Sequence, residues 1–181
     1  MKKILVLLAN GFEEGEMIIP VDVLRRAHFQ VDLMSIGSQE VTSSHGIKVS
    51  ADRMWNEDTS YDAILLPGGS PGTAHLLEDE RVLALIRRYD HEEKYIFAIC
   101  AAPSVLAKAG ILRGRHVTSY PLENLDTIFA MAHYHPDDVV IDQKLITSRG
   151  VGTAFQFAYA CANALGADVS TLKRIMMYSG T

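Results

Sequence analysis

The stretch Tyr95-Ile96-Phe97-Ala98-Ile99-Cys100-Ala101-Ala102-Pro103 sets the reading of the whole chain. Its first five residues form a short apolar run, which predicts a core strand. A helical pattern follows over Ala101–Ala109, and Pro103 suits the first turn of that helix. Cys100 stands between the two, at a strand-to-helix turn. The same alternation continues outward in both directions. Upstream, Ala63–Leu66 is a third core strand, ending in Pro67-Gly68-Gly69-Ser70-Pro71-Gly72. Ile4–Leu8 is a continuous apolar run and predicts a strand covered on both faces. A helix is predicted over Glu16–Ala27, with a kink or restart at Pro20, then a strand over Val31–Ile36. Val41–Ser50 reads as a hairpin around Ser44-His45-Gly46. Glu80–Glu92 reads as a helix with Val82, Leu83, Leu85 and Ile86 on one face. Downstream, Val117–Ser119 is a brief strand. Val139–Ile141 and Lys144–Ser148 pair around Asp142-Gln143, and helices close the chain over Gly152–Leu165 and Ser170–Tyr178. Trp55 and Tyr61 are placed over the sheet edge. Strands alternating with helices predict an α/β fold, a mostly parallel sheet with helices on both faces.

Composition agrees with that class. The chain has 181 residues, 48% of them apolar and 22% charged, and a net charge of -5. A length near that of one ordinary domain, with no repeat, linker or low-complexity segment, predicts a single domain over residues 1–181. The mild acidity disfavours a nucleic-acid platform. No run approaches the roughly 18 apolar residues of a membrane span. Lys2 and Lys3 precede too short an apolar run for a signal peptide. Two cysteines are too few for a disulfide scaffold. The expectation is a cytoplasmic protein with reduced thiols.

In a sheet of this kind ligands bind beyond the carboxyl ends of the strands. Three unusual loops leave those ends: Ala9–Glu16, Pro67–Thr73 and Cys100–Pro103. A thiol at such a turn has backbone N–H groups beside it, as in a nucleophile elbow. The oncoming helix start is expected to lower its pKa. The alternative is a small buried core residue, the reading given to Cys161 in its apolar helix. Among Glu13, Glu14 and Glu16, first-turn acids favoured by the helix dipole, one aimed at Cys100 would be held protonated by burial and could move protons. The glycine loop could supply an oxyanion donor, with the Ala101 N–H as a second. It is neither a P-loop nor a dinucleotide fingerprint. His133-Tyr134-His135 is a close histidine pair for which no third ligand shows at a telling spacing, so no metal site is predicted.

Five motifs then occur in order: Gly-Phe-Glu-Glu-Gly-Glu at Gly11–Glu16, Ile-Pro-Val-Asp-Val-Leu-Arg-Arg-Ala at Ile19–Ala27, Leu-Pro-Gly-Gly at Leu66–Gly69, Ala-Ile-Cys-Ala-Ala-Pro at Ala98–Pro103, and Thr-Ser-Arg-Gly-Val-Gly-Thr at Thr147–Thr153. Together they resemble the ThiJ/PfpI superfamily, in the branch of the parkinsonism-associated protein deglycase and its bacterial relatives. The resemblance runs from Lys3 to about Leu165. It implies a flavodoxin-like (class I glutamine amidotransferase-like) sandwich that forms a homodimer. It assigns the reactive cysteine to Cys100, the protonated partner to Glu16, and the oxyanion donors to the N–H groups of Gly69 and Ala101. Arg149 and Arg26 match arginines at the site's rim and dimer interface.

This chain also departs from the family pattern. Ala101 replaces the histidine that follows the cysteine in protease-like members, which argues against peptidase activity, and the H-x-E of related glutaminases is missing. Tyr120 stands where human-like members have a histidine, His45 where they have an arginine, and Val151 where a proline is usual. The resemblance implies cofactor-independent glyoxalase or deglycase chemistry on methylglyoxal, a small aldehyde, or on its early glycated adducts. The competing reading is an oxidative-stress sensor or redox-regulated chaperone that uses oxidation of the same cysteine.

Overall fold

The computed structural model describes residues 1–56 and 60–180. Its elements in chain order are β1 (Lys3–Leu8), α1 (Glu14–Arg26), β2 (Gln30–Ser35), β3 (Glu40–Thr42), β4 (Lys48–Ser50), β5 (Arg53–Met54), β6 (Ala63–Leu66), α2 (Ser70–Glu78), α3 (Glu80–His91), β7 (Tyr95–Ile99), α4 (Pro103–Ala109), β8 (His116–Val117), α5 (Leu125–Ile128), β9 (His133–Tyr134), β10 (Val139–Asp142), β11 (Leu145–Ser148), a 3₁₀ turn at Val151–Thr153, α6 (Ala154–Ala164) and α7 (Val169–Ile175).

The main sheet has the order β10-β11-β7-β6-β1-β2-β5 among the described residues. Every neighbouring pair is parallel except β10 with β11, whose tight turn puts Gln143 at φ 57°. From β1 the chain first moves outward to β2, then returns to β6 on β1's other side. That reversal opens a crevice beyond the carboxyl ends of β1 and β6.

Each central strand feeds two cores. Ile4, Val6, Leu8, Leu65, Phe97 and Ile99 pack on one face with Val23 and Leu24 of α1 and Phe157 of α6. Leu5, Leu7, Ile64, Leu66 and Ile96 pack on the other with Leu83 and Ile86 of α3 and Leu106 of α4. Residues alternating between two apolar faces explain why these strands read as unbroken apolar runs. The arrangement is the flavodoxin-like sandwich the motifs imply. Among the described residues no helix is long and apolar enough to cross a membrane.

Several expectations shift. Helix α1 starts at Glu14, two residues early, and runs through Pro20 without a restart. Proline at that position lacks the N–H for the Glu16 carbonyl. Burial of Met17, Pro20, Val21, Val23 and Leu24 against the sheet holds the helix together regardless. The glycine loop is shorter than expected: α2 begins at Ser70, with Pro71 in its first turn. Helix α4 begins at Pro103, so Cys100, Ala101 and Ala102 form a turn ahead of it. Tyr61 and Trp55 flank the edge strand β5. The Tyr61 hydroxyl accepts from Arg53 at 2.7 Å and donates to Asp32. The Trp55 N–H donates to Ser35 at 2.8 Å.

Candidate active site

The crevice is built by the ends of β1, β6, β7 and β11. Cys100 follows β7 directly, and its N–H donates to the Ser148 carbonyl at 2.9 Å while its own carbonyl accepts from the Tyr120 N–H at 2.8 Å. Pinned on both sides, Cys100 takes φ 65°. That left-handed conformation is uncommon for a residue with a side chain and marks a functional constraint when the surroundings enforce it. The thiol is half-buried. The N–H groups of Ala101 and Gly69 both act on its sulfur. Gly69 holds φ 96°, where a side chain would strike the Gly11 carbonyl and the Glu13 N–H.

Glu16 faces this thiol from the first turns of α1. It is 1% exposed, and its Oε2 accepts from the Gly68 N–H at 2.9 Å. Gly68 is wedged between the pair: a Cβ there would lie 2.6 Å from Glu16 Oε2 and 2.7 Å from Cys100 Cβ. Burial raises the Glu16 carboxyl to about 7, against bonds from Cys100, Gly68 and Val151 that favour its charged form.

The expected lowering of the thiol pKa is overturned. Burial, then the charge of the facing Glu16, push Cys100 up to about 12, and the Ala101 and Gly69 N–H groups only partly offset them. The physical reason is that a half-buried thiol beside an ionised carboxylate feels desolvation and repulsion together. The repulsive part exists only while Glu16 is ionised. With Glu16 protonated, its O–H becomes a donor toward the sulfur.

The three acids of the first loop separate cleanly. Only Glu16 turns toward the thiol. Glu14 Oε1 lies 2.8 Å and Glu13 Oε2 3.6 Å from His45 Nδ1. Desolvation opposes the charge on Glu14, but backbone and Ser43 hydrogen bonds together with His45 hold its carboxyl below the usual range. The donor atoms of Glu13, Glu14 and His45 lie within 4.8 Å of one another, a set of cation-ligating type.

The seven residues placed at the site from sequence line one open cavity of about 900 Å³: Cys100, Glu16, Gly69, Ala101, Tyr120, Arg149 and His45. They do not all reach the sulfur's immediate surroundings. Tyr120 is 53% exposed on the wall. Arg149 Nη1 donates to the Pro136 carbonyl at 3.2 Å. His45 is held by the two acids at the mouth. Sequence reasoning missed Gly68, the Val151 N–H and Asp138, which also lines the cavity. The Gly-Gly pair was the available signal for Gly68. Asp138 carried none, because only the antiparallel pairing of β10 with the end of β11 brings it in. Cys161 lies fully buried in α6, as expected.

The profile of the DJ-1/PfpI family matches residues 2–164. The Protein dj-1beta of Drosophila melanogaster is 40% identical over 167 residues, covering 91% of this chain and 89% of that one. Its crystal structure superposes with a TM-score of 0.92 at 36% identity, over 99% of both chains. A deglycase of Pyrococcus horikoshii is 35% identical over 150 residues, covering 81% of this chain and 89% of its own. The oxidized form of Toxoplasma gondii DJ-1 superposes with a TM-score of 0.91 at 30% identity, over 99% of this chain and 100% of that one.

Proposed function

The chain belongs to the DJ-1/PfpI family, and from that membership we propose a cofactor-independent glyoxalase or deglycase that acts on methylglyoxal or its early adducts through Cys100. The observation that carries the reading is the buried Glu16 facing Cys100, with the Gly69 and Ala101 N–H groups on the sulfur, at the base of an open cavity. The kinship with a deglycase supports the substrate class.

Glu16 and Cys100 release their first proton as a pair near pH 7. In the monoanion that keeps the proton on Glu16, the sulfur carries the charge and faces two N–H donors. That sulfur adds to the aldehyde carbon, and Glu16 gives its proton to the new oxyanion, forming a hemithioacetal. The Glu16 carboxylate then removes the hydrogen on that carbon as a proton, the hydroxyl proton passes to the ketone oxygen, and Glu16 returns its proton to the neighbouring carbon of the enediol. The former aldehyde carbon is oxidised and the ketone carbon reduced, so no external redox agent enters. Water hydrolyses the resulting thioester, releasing lactate and regenerating the thiol. A carboxyl poised near 7 suits both proton steps. Ala101 supplies no imidazole beside the nucleophile, so peptidase activity is not expected.

The test is lactate formation from methylglyoxal by wild type, Cys100→Ser and Glu16→Gln. Turnover by wild type no greater than that by Cys100→Ser sinks the proposal.

A second reading is favoured by one feature: the thiol is half-exposed and faces a protonatable carboxyl. Such a thiol can be oxidised to the sulfinate, which Glu16 would hold by a hydrogen bond. The oxidized state of the Toxoplasma gondii relative points the same way. Chaperone activity regulated by this oxidation would belong to the same reading. Mass spectrometry after mild peroxide should show a two-oxygen adduct on Cys100, and its absence counts against a sensor.

We also propose a homodimer formed through the α1–α6 face. Helices α1 and α6 pack side by side, and Ile18 and Phe155 on them are exposed. A monomeric wild type in sedimentation would remove this proposal. Compartment is proposed as the cytoplasm, where a free thiol stays reduced.

A further inference from the structure

His133 and His135 sit at alternate positions on and just beyond β9, so their side chains share one face. Tyr134 between them points the other way. Its hydroxyl donates to the Ser119 carbonyl at 3.0 Å, and its ring packs tilted against Phe129, centroids 5.5 Å apart. That anchor turns both histidines outward. Strand β8 then brings a third: His116 pairs in register with His133. Its neighbour Val117 is fully buried, which leaves His116 on the same outer face.

The three imidazoles form a row with His116 in the middle. The His116 ring is 5.0 Å from that of His133 and 4.9 Å from that of His135. His116 Nδ1 and His135 Nε2 lie 2.7 Å apart. The backbone beneath is fixed at each position. The His116 N–H donates to Asp142 Oδ2 at 2.9 Å. The His133 and His135 N–H groups donate to the Arg115 and Val117 carbonyls, each at 2.8 Å.

We propose that His116, His135 and His133 form a surface site for a late first-row divalent metal ion of the Ni²⁺ or Cu²⁺ type, on the β8–β9 ledge. Imidazole is a preferred ligand for such ions. The facing nitrogens lie 2.7 Å apart in a hydrogen bond, and a tilt of each ring about its side-chain bonds turns both lone pairs onto one ion at about 2.0–2.1 Å. The affinity of a nitrogen set rises toward Ni²⁺ and Cu²⁺ along the first-row series. Each neutral ring needs one free lone pair. In the neutral pair one ring donates to the other, and moving that proton to the remote nitrogen of its own ring frees both facing lone pairs. His133 is exposed and turns about its side-chain bonds to complete the set, a motion of an exposed rotamer. The Asp142 carboxylate beside the His116 backbone adds favourable charge, moderated by Arg115 at 3.2 Å.

The test is isothermal titration of the full chain with NiCl₂ in a non-chelating buffer near pH 7.5, with circular dichroism to confirm folding of each variant. One saturable site is expected. His116→Gln and His135→Gln should each weaken it at least tenfold, and His133→Gln severalfold. His116 and His133 are exposed and His135 is half-exposed, so their glutamine variants should fold. His45→Gln and Cys100→Ser serve as controls for the two other places a cation could go, and each should leave the affinity within twofold. Absence of saturable binding overturns the site. So does affinity that falls in His45→Gln or Cys100→Ser while surviving His116→Gln.

Discussion

Cys100 and Cys161 are the same side chain in two settings. Cys161 lies mid-helix in α6, fully buried among Phe157, Ala158 and Ala162. Its thiol is pushed far up by desolvation, with no facing charge to act on it. Cys100 ends a strand with φ 65°, half-exposed, against a buried acid and two N–H donors. Burial raises both thiols, so a raised pKa is not what separates them. What separates them is access from the cavity and an adjacent group able to take and return a proton. Reactivity here belongs to the turn and its neighbours, not to the cysteine alone.

The strongest way to break that comparison is to remove each thiol in turn. Cys100→Ser should cut lactate formation at least about 10³-fold, the scale of losing a nucleophile. Cys161→Ala should leave turnover within about twofold and lower the unfolding free energy by about 1 kcal/mol, the usual cost of a small core truncation. A neutral thiol reagent should label only Cys100 in the native protein. Equal labelling of both would erase the distinction.

Glu16→Gln tests the proton partner. Turnover should fall about 10²- to 10³-fold, within the range of general acid–base effects. The same variant bears on stability. A carboxyl raised from 4.5 to about 7 holds its proton more tightly folded than unfolded. Its stabilising contribution is therefore complete below pH 4.5 and is lost as pH rises through 7. At about 1.4 kcal/mol per unit, roughly 3 kcal/mol of stability should disappear across that window. Urea titrations at pH 5 and pH 8 should show the drop in wild type and its absence in Glu16→Gln. An unchanged pH dependence would mean Glu16 is ionised throughout.

How far the sequence reveals this contrast depends on the kind of signal. Strands buried on both faces, such as Ile4–Leu8 and Tyr95–Ile99, are legible because both cores demand apolar residues at every position. The turn at Cys100 is legible because Pro103 fixes where its helix begins. The identity of the acid was not readable from spacing, since Glu13, Glu14 and Glu16 all suit a first helical turn. Only the helix phase, set by packing against the sheet, sends Glu16 inward and the other two to His45. The motif resemblance chose Glu16 where residue chemistry alone left three candidates. The direction of the Cys100 pKa is not legible in the sequence, because the helix start is a local cue. Burial and the facing carboxylate come from elements distant in sequence. His116 as a third histidine was hidden for the same reason: 17 positions separate it from its register partner His133.

Gly68→Ala sharpens the comparison while leaving both functional residues unsubstituted. The added methyl would meet both Glu16 Oε2 and Cys100 Cβ at under 3 Å, so the pair must move apart. Displacement of reacting groups by about 1 Å costs roughly 10²-fold in rate. Turnover should fall by that order while the thiol remains labelled by a small reagent. A variant with wild-type turnover would show that the close approach of Glu16 to the sulfur is not needed.

The smallest effect is expected at Tyr120, where the motif resemblance implies an imidazole. Its backbone matters to Cys100, since the Tyr120 N–H donates to the Cys100 carbonyl at 2.8 Å. Substitution of the side chain leaves that bond in place. The ring is 53% exposed on the cavity wall, where a hydroxyl gains little over water as a partner. Tyr120→Phe should therefore change kcat/KM by no more than about threefold, a difference under about 1 kcal/mol. Tyr120→His places an imidazole on the same wall. If Glu16 already supplies both proton steps, that variant too should stay within about threefold. A tenfold gain in Tyr120→His would show that Glu16 alone is an incomplete proton shuttle, and that the contrast between the two cysteines rests on the cavity wall as well as on the turn.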